Sequence, residues 1–213
     1  MKILLFSFIV AIVGILIFNS CNDSTNPSEL ENRFAYFSVN VTSAGSFFTE
    51  GLYSCSFKTG EIKQLVNAGV SSFSDECENN TMAYTLKDST EPSLWVRFKD
   101  GRIIPAPLPE SQDTSIKYIR AGTTGYALSY DGNYLVYFVN KISSSYATDE
   151  PEYSQPLMIL YNLNESKITI INVAGFCLNK FKGLNLSKVI SSGALIVNRN
   201  CTKIYFSVTL QKY

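Results

Sequence analysis

The chain of 213 residues has no histidine. That absence removes Ser-His-Asp and Cys-His catalysis and every zinc site that needs an imidazole. It leaves carboxylate chemistry of the glycosidase kind, which needs only Asp and Glu. Charge of one sign is lacking too: 18 basic and 18 acidic residues cancel, so no net field attracts nucleic acid. Tryptophan occurs once, and none of the five cysteines stands in a CxxC pair, which argues against a metal knuckle or a thioredoxin-like motif. Beyond residue 30 no segment sustains a helical period. Neither a metal nor a cofactor is expected.

What is present begins with an address. MKILLFSFIVAIVGILIFNSC places Lys2 before an apolar run from Ile3 to Phe18, then two small polar residues and Cys21. A short cationic segment followed by a short apolar one has the form of a secretory signal. The 16-residue run is marginal beside the roughly 20 residues that span a bilayer, and an uncleaved N-terminal anchor helix is the alternative. FNSC resembles a bacterial lipobox, with Ser20 beside the cysteine and Phe18 where such boxes usually carry leucine. The resemblance implies cleavage after residue 20, lipid on Cys21 and membrane attachment through it, with residues 21–32 as a polar tether. Cys55, Cys77, Cys177 and Cys201 then form an even set. In an exported chain these permit disulfides in any of three connectivities, or free thiols.

Residues 33–213 read as one all-β domain. Runs rich in Tyr, Phe, Val and Ile recur at 33–39, 52–57, 61–66, 82–86, 93–98, 134–139, 156–163, 167–173 and 203–208, separated by turn residues. Three pairs share a pattern: LYSCSF-KTG-EIKQLV, LWVRF-KDG-RIIPAP and MILYNL-NES-KITIIN. Their turns carry Thr59-Gly60, Asp100-Gly101 and Asn164-Glu165-Ser166, suited to tight hairpins. A second pattern, LSYDGNYLVYF (128–138), aligns without a gap on IVNRNCTKIYF (196–206) and, with a longer turn, on FSDECENNTMAYT (73–85). The aligned tyrosines Tyr36, Tyr84, Tyr137 and Tyr205 are 48, 53 and 68 residues apart, steps that suit four-stranded units with insertions.

SYDGNYLVYF followed by LMILYNLNESKITII resembles the TolB-type β-propeller repeat. The resemblance implies a propeller-like array of four-stranded antiparallel blades over 33–213, ordered b-c-d, a-b-c-d, a-b-c-d, a-b. That is about three and a half blades, an incomplete array beside closed propellers of four to eight. Truncation, closure of a compact four-blade ring and oligomerisation each account for that count. The family consists mostly of periplasmic or cell-surface binding modules.

Asp131-Gly132 offers one carboxylate and is expected to be a hairpin turn rather than a calcium loop. The loop SSSYATDEPEYSQP (143–156) is the candidate ligand-binding segment, through Tyr146, Asp149, Glu150, Glu152 and Tyr153. A second acidic loop holds Glu110 and Asp113, and facing the first it would form a carboxylate pair. Trp95, alternating with its neighbours in a strand, is expected to pack inward. No coherent catalytic set emerges. The expectation is an exported, lipid-anchored binding or scaffolding module of the cell envelope, its ligand a protein or a glycan. The alternatives are a carboxylate-dependent glycan hydrolase or a non-functional fragment of a propeller.

Overall fold

A computed structural model describes residues 34–40, 49–74, 76–87, 93–112, 115–120, 125–143, 155–180 and 186–212. The chain divides into two compact units, Met1–Ala35 with Ser54–Lys63, and Tyr36–Tyr53 with Gln64–Tyr213. The described part of the first unit is mainly a hairpin tip. Ser56 donates its N–H to the Glu61 carbonyl at 3.0 Å, and Gly60 donates to the Ser56 carbonyl at 2.9 Å. Lys58, Thr59 and Gly60 thus make the expected tight turn.

The protein is mostly β, built of antiparallel sheets. Sheet 1 holds β1 (Phe34–Val39), β2 (Gly51–Ser56) and β3 (Ile62–Val66) in that order. Sheet 2 is a four-stranded meander of β4 (Val70–Phe73), β5 (Met82–Leu86), β6 (Leu94–Arg97) and β7 (Ile103–Pro105). Sheet 3 holds β8 (Ile116–Arg120), β9 (Tyr126–Leu128), β10 (Tyr134–Ser143), β11 (Gln155–Asn162) and β12 (Lys167–Ile171). Sheet 4 is the hairpin of β13 (Leu186–Val197) and β14 (Ile204–Lys212).

The third sheet has five strands because β10 is ten residues long. Its first half pairs with β9, Leu135 opposite Leu128, and its second half with β8, Ser143 opposite Ile116. All nine runs of the sequence coincide with strands, except that 167–173 runs past β12 and ends at Val173 in a helix. Strands β4, β7, β8, β9 and β13 carry no such run. A helix, α1 (Val173–Lys180), also stands where no helical period was read. Asn172 caps it, its side-chain oxygen accepting the Gly175 N–H at 2.8 Å. Val173 and Cys177, one turn apart, are both buried.

Strand alternation sends successive side chains to opposite faces, so an inner sheet needs two apolar faces. Met82 and Tyr84 of β5 join Leu52 and Val66 of sheet 1 in one buried cluster, with Trp95 packed against it. Ala83, Leu94 and Val96 turn the other way and cluster with Leu135, Tyr137, Val139 and Ile159 of sheet 3. Val136, Phe138 and Met158 form the third cluster, with Val173, Cys177 and Leu195. Each fully buried large side chain contributes about 1.5–3 kcal/mol.

The four aligned tyrosines do not occupy one repeated position. Tyr84 and Tyr137 are 2% and 1% exposed, and both face the preceding sheet. Tyr205 is 58% exposed, while its neighbour Phe206 packs on the cluster that holds Val136. Tyr36 packs on the cluster shared with sheet 2, its own following sheet. The spacing of 68 residues is therefore one short, and a one-residue slip moves a side chain to the other face.

Candidate functional site

The three aligned turns share one backbone design, which fixes their true correspondence. Asn80, Gly132 and Cys201 donate their N–H groups to the carbonyls of Cys77, Ser129 and Asn198, three residues back, at 2.8, 2.8 and 3.0 Å. The same three residues have positive φ, 59°, 69° and 55°. One residue earlier in each turn, a side-chain oxygen accepts a bond from two residues on. Asn79 accepts the Thr81 N–H at 3.0 Å, Asp131 the Asn133 N–H at 3.1 Å, and Asn200 the Thr202 hydroxyl at 3.0 Å.

Ser129 and Asn198 are matched in the same way. Their side-chain oxygens accept the N–H of Tyr134 at 2.9 Å and of Lys203 at 2.7 Å. Asp131 also accepts the Ser129 hydroxyl at 2.6 Å. Its carboxylate is thus engaged by its own turn, as expected for a hairpin rather than a calcium loop. Among the described residues no group of three or more metal-ligating side chains converges.

The turns are hydrogen-bonded to one another in series. Glu78 donates its N–H to the Tyr130 carbonyl at 2.8 Å, and Asp131 donates to the Arg199 carbonyl at 3.1 Å. The Asn79 amide donates to the Gly132 carbonyl at 3.2 Å, and the Cys77 thiol to the Ser129 carbonyl at 3.0 Å. Glu78, Tyr130 and Arg199 hold the same position in the three turns and meet on the surface. Arg199 Nη2 lies 2.7 Å from both Glu78 oxygens, and its guanidinium sits 5.0 Å above the Tyr130 ring centre. Bonding to the Glu78 carboxylate raises the Arg199 pKa further. Cys201 is pushed up to about 11, first by burial and then by the nearby Asp131 charge.

A shallow cleft of about 440 Å³ opens beside this belt. Asn79 and Thr81 line it from the β4–β5 turn, and Phe98, Lys99, Asp100 and Arg102 from the β6–β7 turn. Arg102 lies 4.2 Å above the Phe98 ring centre, and its Nε is 3.8 Å from Asp100. The sequence marked these residues only as parts of repeated strands and turns, not as a site. They come from two hairpins and are ordinary turn residues in each.

None of the sequence-derived site residues lines this cleft. Cys21, Tyr146, Asp149, Glu150, Glu152 and Tyr153 fall outside the described residues, as does Asp113. Glu110 is exposed. The strand ends that carry the two acidic loops are adjacent: Ser143 pairs with Ile116, and Gln155 returns opposite Lys141. Cys55, Cys77, Cys177 and Cys201 are free thiols. No family model, curated protein or solved structure matches the chain.

Proposed function

We propose that the protein is an exported, lipid-anchored binding or scaffolding module of the cell envelope, built as a TolB-like propeller array. The observation that carries the reading is the succession of antiparallel sheets with three, four, five and two strands, where the five count β8 and β9 as two segments along different halves of β10. Adjacent sheets share a buried cluster, and equivalent turns are linked in series. This order supports the b-c-d, a-b-c-d, a-b-c-d, a-b sequence of the repeat. In such a scaffold the rims present loops, and loops on rigid sheets are where recognition residues usually stand. The leader and Cys21 supply the address, and the loop bearing Tyr146, Asp149, Glu150, Glu152 and Tyr153 supplies an acidic, aromatic binding segment.

Two measurements test this. Labelled palmitate is expected to enter the full chain and to be lost in Cys21→Ala; incorporation that survives the substitution rules out the anchor. An oligolysine peptide is expected to bind, and the triple change Asp149→Asn, Glu150→Gln, Glu152→Gln to abolish binding. Unchanged affinity rules out the loop as the site.

A second reading, a carboxylate-dependent glycan hydrolase, draws support from the pairing of Ser143 with Ile116. That pairing starts both acidic loops from neighbouring strand ends. It requires release of reducing ends from envelope glycans, and loss of that release in Glu110→Gln.

A further inference from the structure

The cleft beside the turn belt is lined by none of the acidic-loop residues, and its free charges have the opposite sign. Turns β4–β5 and β6–β7 lie at the same end of an antiparallel meander, so their residues face one another across two strands. Lys99 is exposed and makes no ion pair among the described residues. The Arg102 guanidinium meets Asp100 through Nε, and at 3.8 Å that contact is long for a hydrogen bond. The two Nη groups of Arg102 have no partner among the described residues. Stacking on Phe98 at 4.2 Å holds the guanidinium plane, and the Asp100 carboxylate is diverted to the Arg102 backbone N–H at 2.9 Å.

Thr81 lines the cleft and is 1% exposed. Its N–H and carbonyl are bonded within the turn, but its hydroxyl has no partner among the described residues. A buried hydroxyl without a partner is costly, and a ligand hydroxyl would satisfy it. The Asn79 amide uses one of its two hydrogens on Gly132, leaving the other.

We propose that this cleft binds an acidic saccharide, a sugar ring carrying a carboxylate. The planar Nη fork of Arg102 matches a carboxylate in two-point fashion, and Lys99 adds a second positive charge. Thr81, Asn79 and the edge of Phe98 meet the ring's hydroxyls and its apolar face. At about 440 Å³ the cleft is within the range of small-ligand sites and takes one or two sugar rings.

The test uses the full chain in mild detergent, with calorimetric titration of a galacturonate disaccharide. The disaccharide's neutral methyl ester and inorganic phosphate serve as comparison ligands. The disaccharide is expected to bind, the ester to bind at least about tenfold more weakly, and Arg102→Gln and Lys99→Gln each to weaken binding by about tenfold. Both substitutions are at exposed positions and leave the fold intact, which the unfolding midpoint verifies. Equal binding of the ester, or competition by phosphate at the same concentration as the disaccharide, overturns the assignment. So does binding that neither substitution alters. Failure here leaves palmitate labelling and the oligolysine result unaffected, so the two assignments fail separately.

Discussion

Sheet 3 and sheet 4 are built from similar hairpins and have different surroundings. In β10 both faces are covered, with Tyr137 in the cluster shared with sheet 2 and Val136 and Phe138 in the next. In β14 one face is covered, by Phe206 packing near Phe138 with ring centres 6.2 Å apart. The other face shows Tyr205 at 58% and its cross-strand partner Ile196 at 64% exposure. The same kind of strand is a core layer in one place and a surface in the other. What separates them is the cover each face has among the described residues, not the composition of the hairpin.

Breaking the covered side gives the largest expected effect. Tyr137→Ala removes a ring 1% exposed and should cost about 3–5 kcal/mol in urea unfolding. Tyr205→Ser at the open face should change stability by less than about 0.5 kcal/mol.

Next comes the turn. Gly132 has φ 69°, and a Cβ there would clash with the Asn79 side-chain oxygen. Gly132→Ala is expected to cost about 1–3 kcal/mol. Adding Asn79→Ala removes the clash and returns only part of this, because the left-handed backbone still costs an L residue about 1–2 kcal/mol.

The pH response is smaller and separates the two sheets. The Cys201 thiol has its pKa raised from 9.0 to about 11. Its contribution to stability is therefore complete below pH 9 and lost as pH rises towards 11. Tyr126 of sheet 3, pushed up to about 12 mainly by burial, loses its contribution later, from pH 10 towards 12. Alkylation of Cys201 in the folded chain should accelerate near pH 11, and at lower pH in Asp131→Asn.

The smallest effect belongs to Arg199→Gln. Its side chain and that of Glu78 are 66% and 54% exposed, and water screens such a pair. The unfolding midpoint should move measurably only at low salt.

Strand content was legible because burial on a pleated surface selects Tyr, Phe, Val and Ile, and those residues cluster in runs. The strands without such runs, VSSF at 70–73 and YAL at 126–128, are held by neighbours already in place. The eight-residue helix was hidden because its buried pair, Val173 and Cys177, is too short a pattern to show a period, and Phe176 beside it is 62% exposed. Identity of Tyr137 and Tyr205 set the repeat one residue off. The hydrogen bonds of Ser129, Asp131 and Gly132 match Asn198, Asn200 and Cys201, different residue types performing the same tasks. The cleft was illegible for a related reason: Thr81 and Arg102 approach only through the meander. The acidic loop was legible as composition, and what the structure adds is the adjacency of its anchoring strand ends.

The stacking of successive meanders, with its repeat of 69 residues between Gly132 and Cys201, is tested most directly by one pair of substitutions in β14. The unfolding midpoints of Phe206→Ala and Tyr205→Ala are compared in the full chain. The stacked arrangement requires Phe206→Ala to lower the midpoint strongly and Tyr205→Ala to leave it nearly unchanged. A larger loss from Tyr205→Ala would put the tyrosine in the core and contradict the register on which the fold rests.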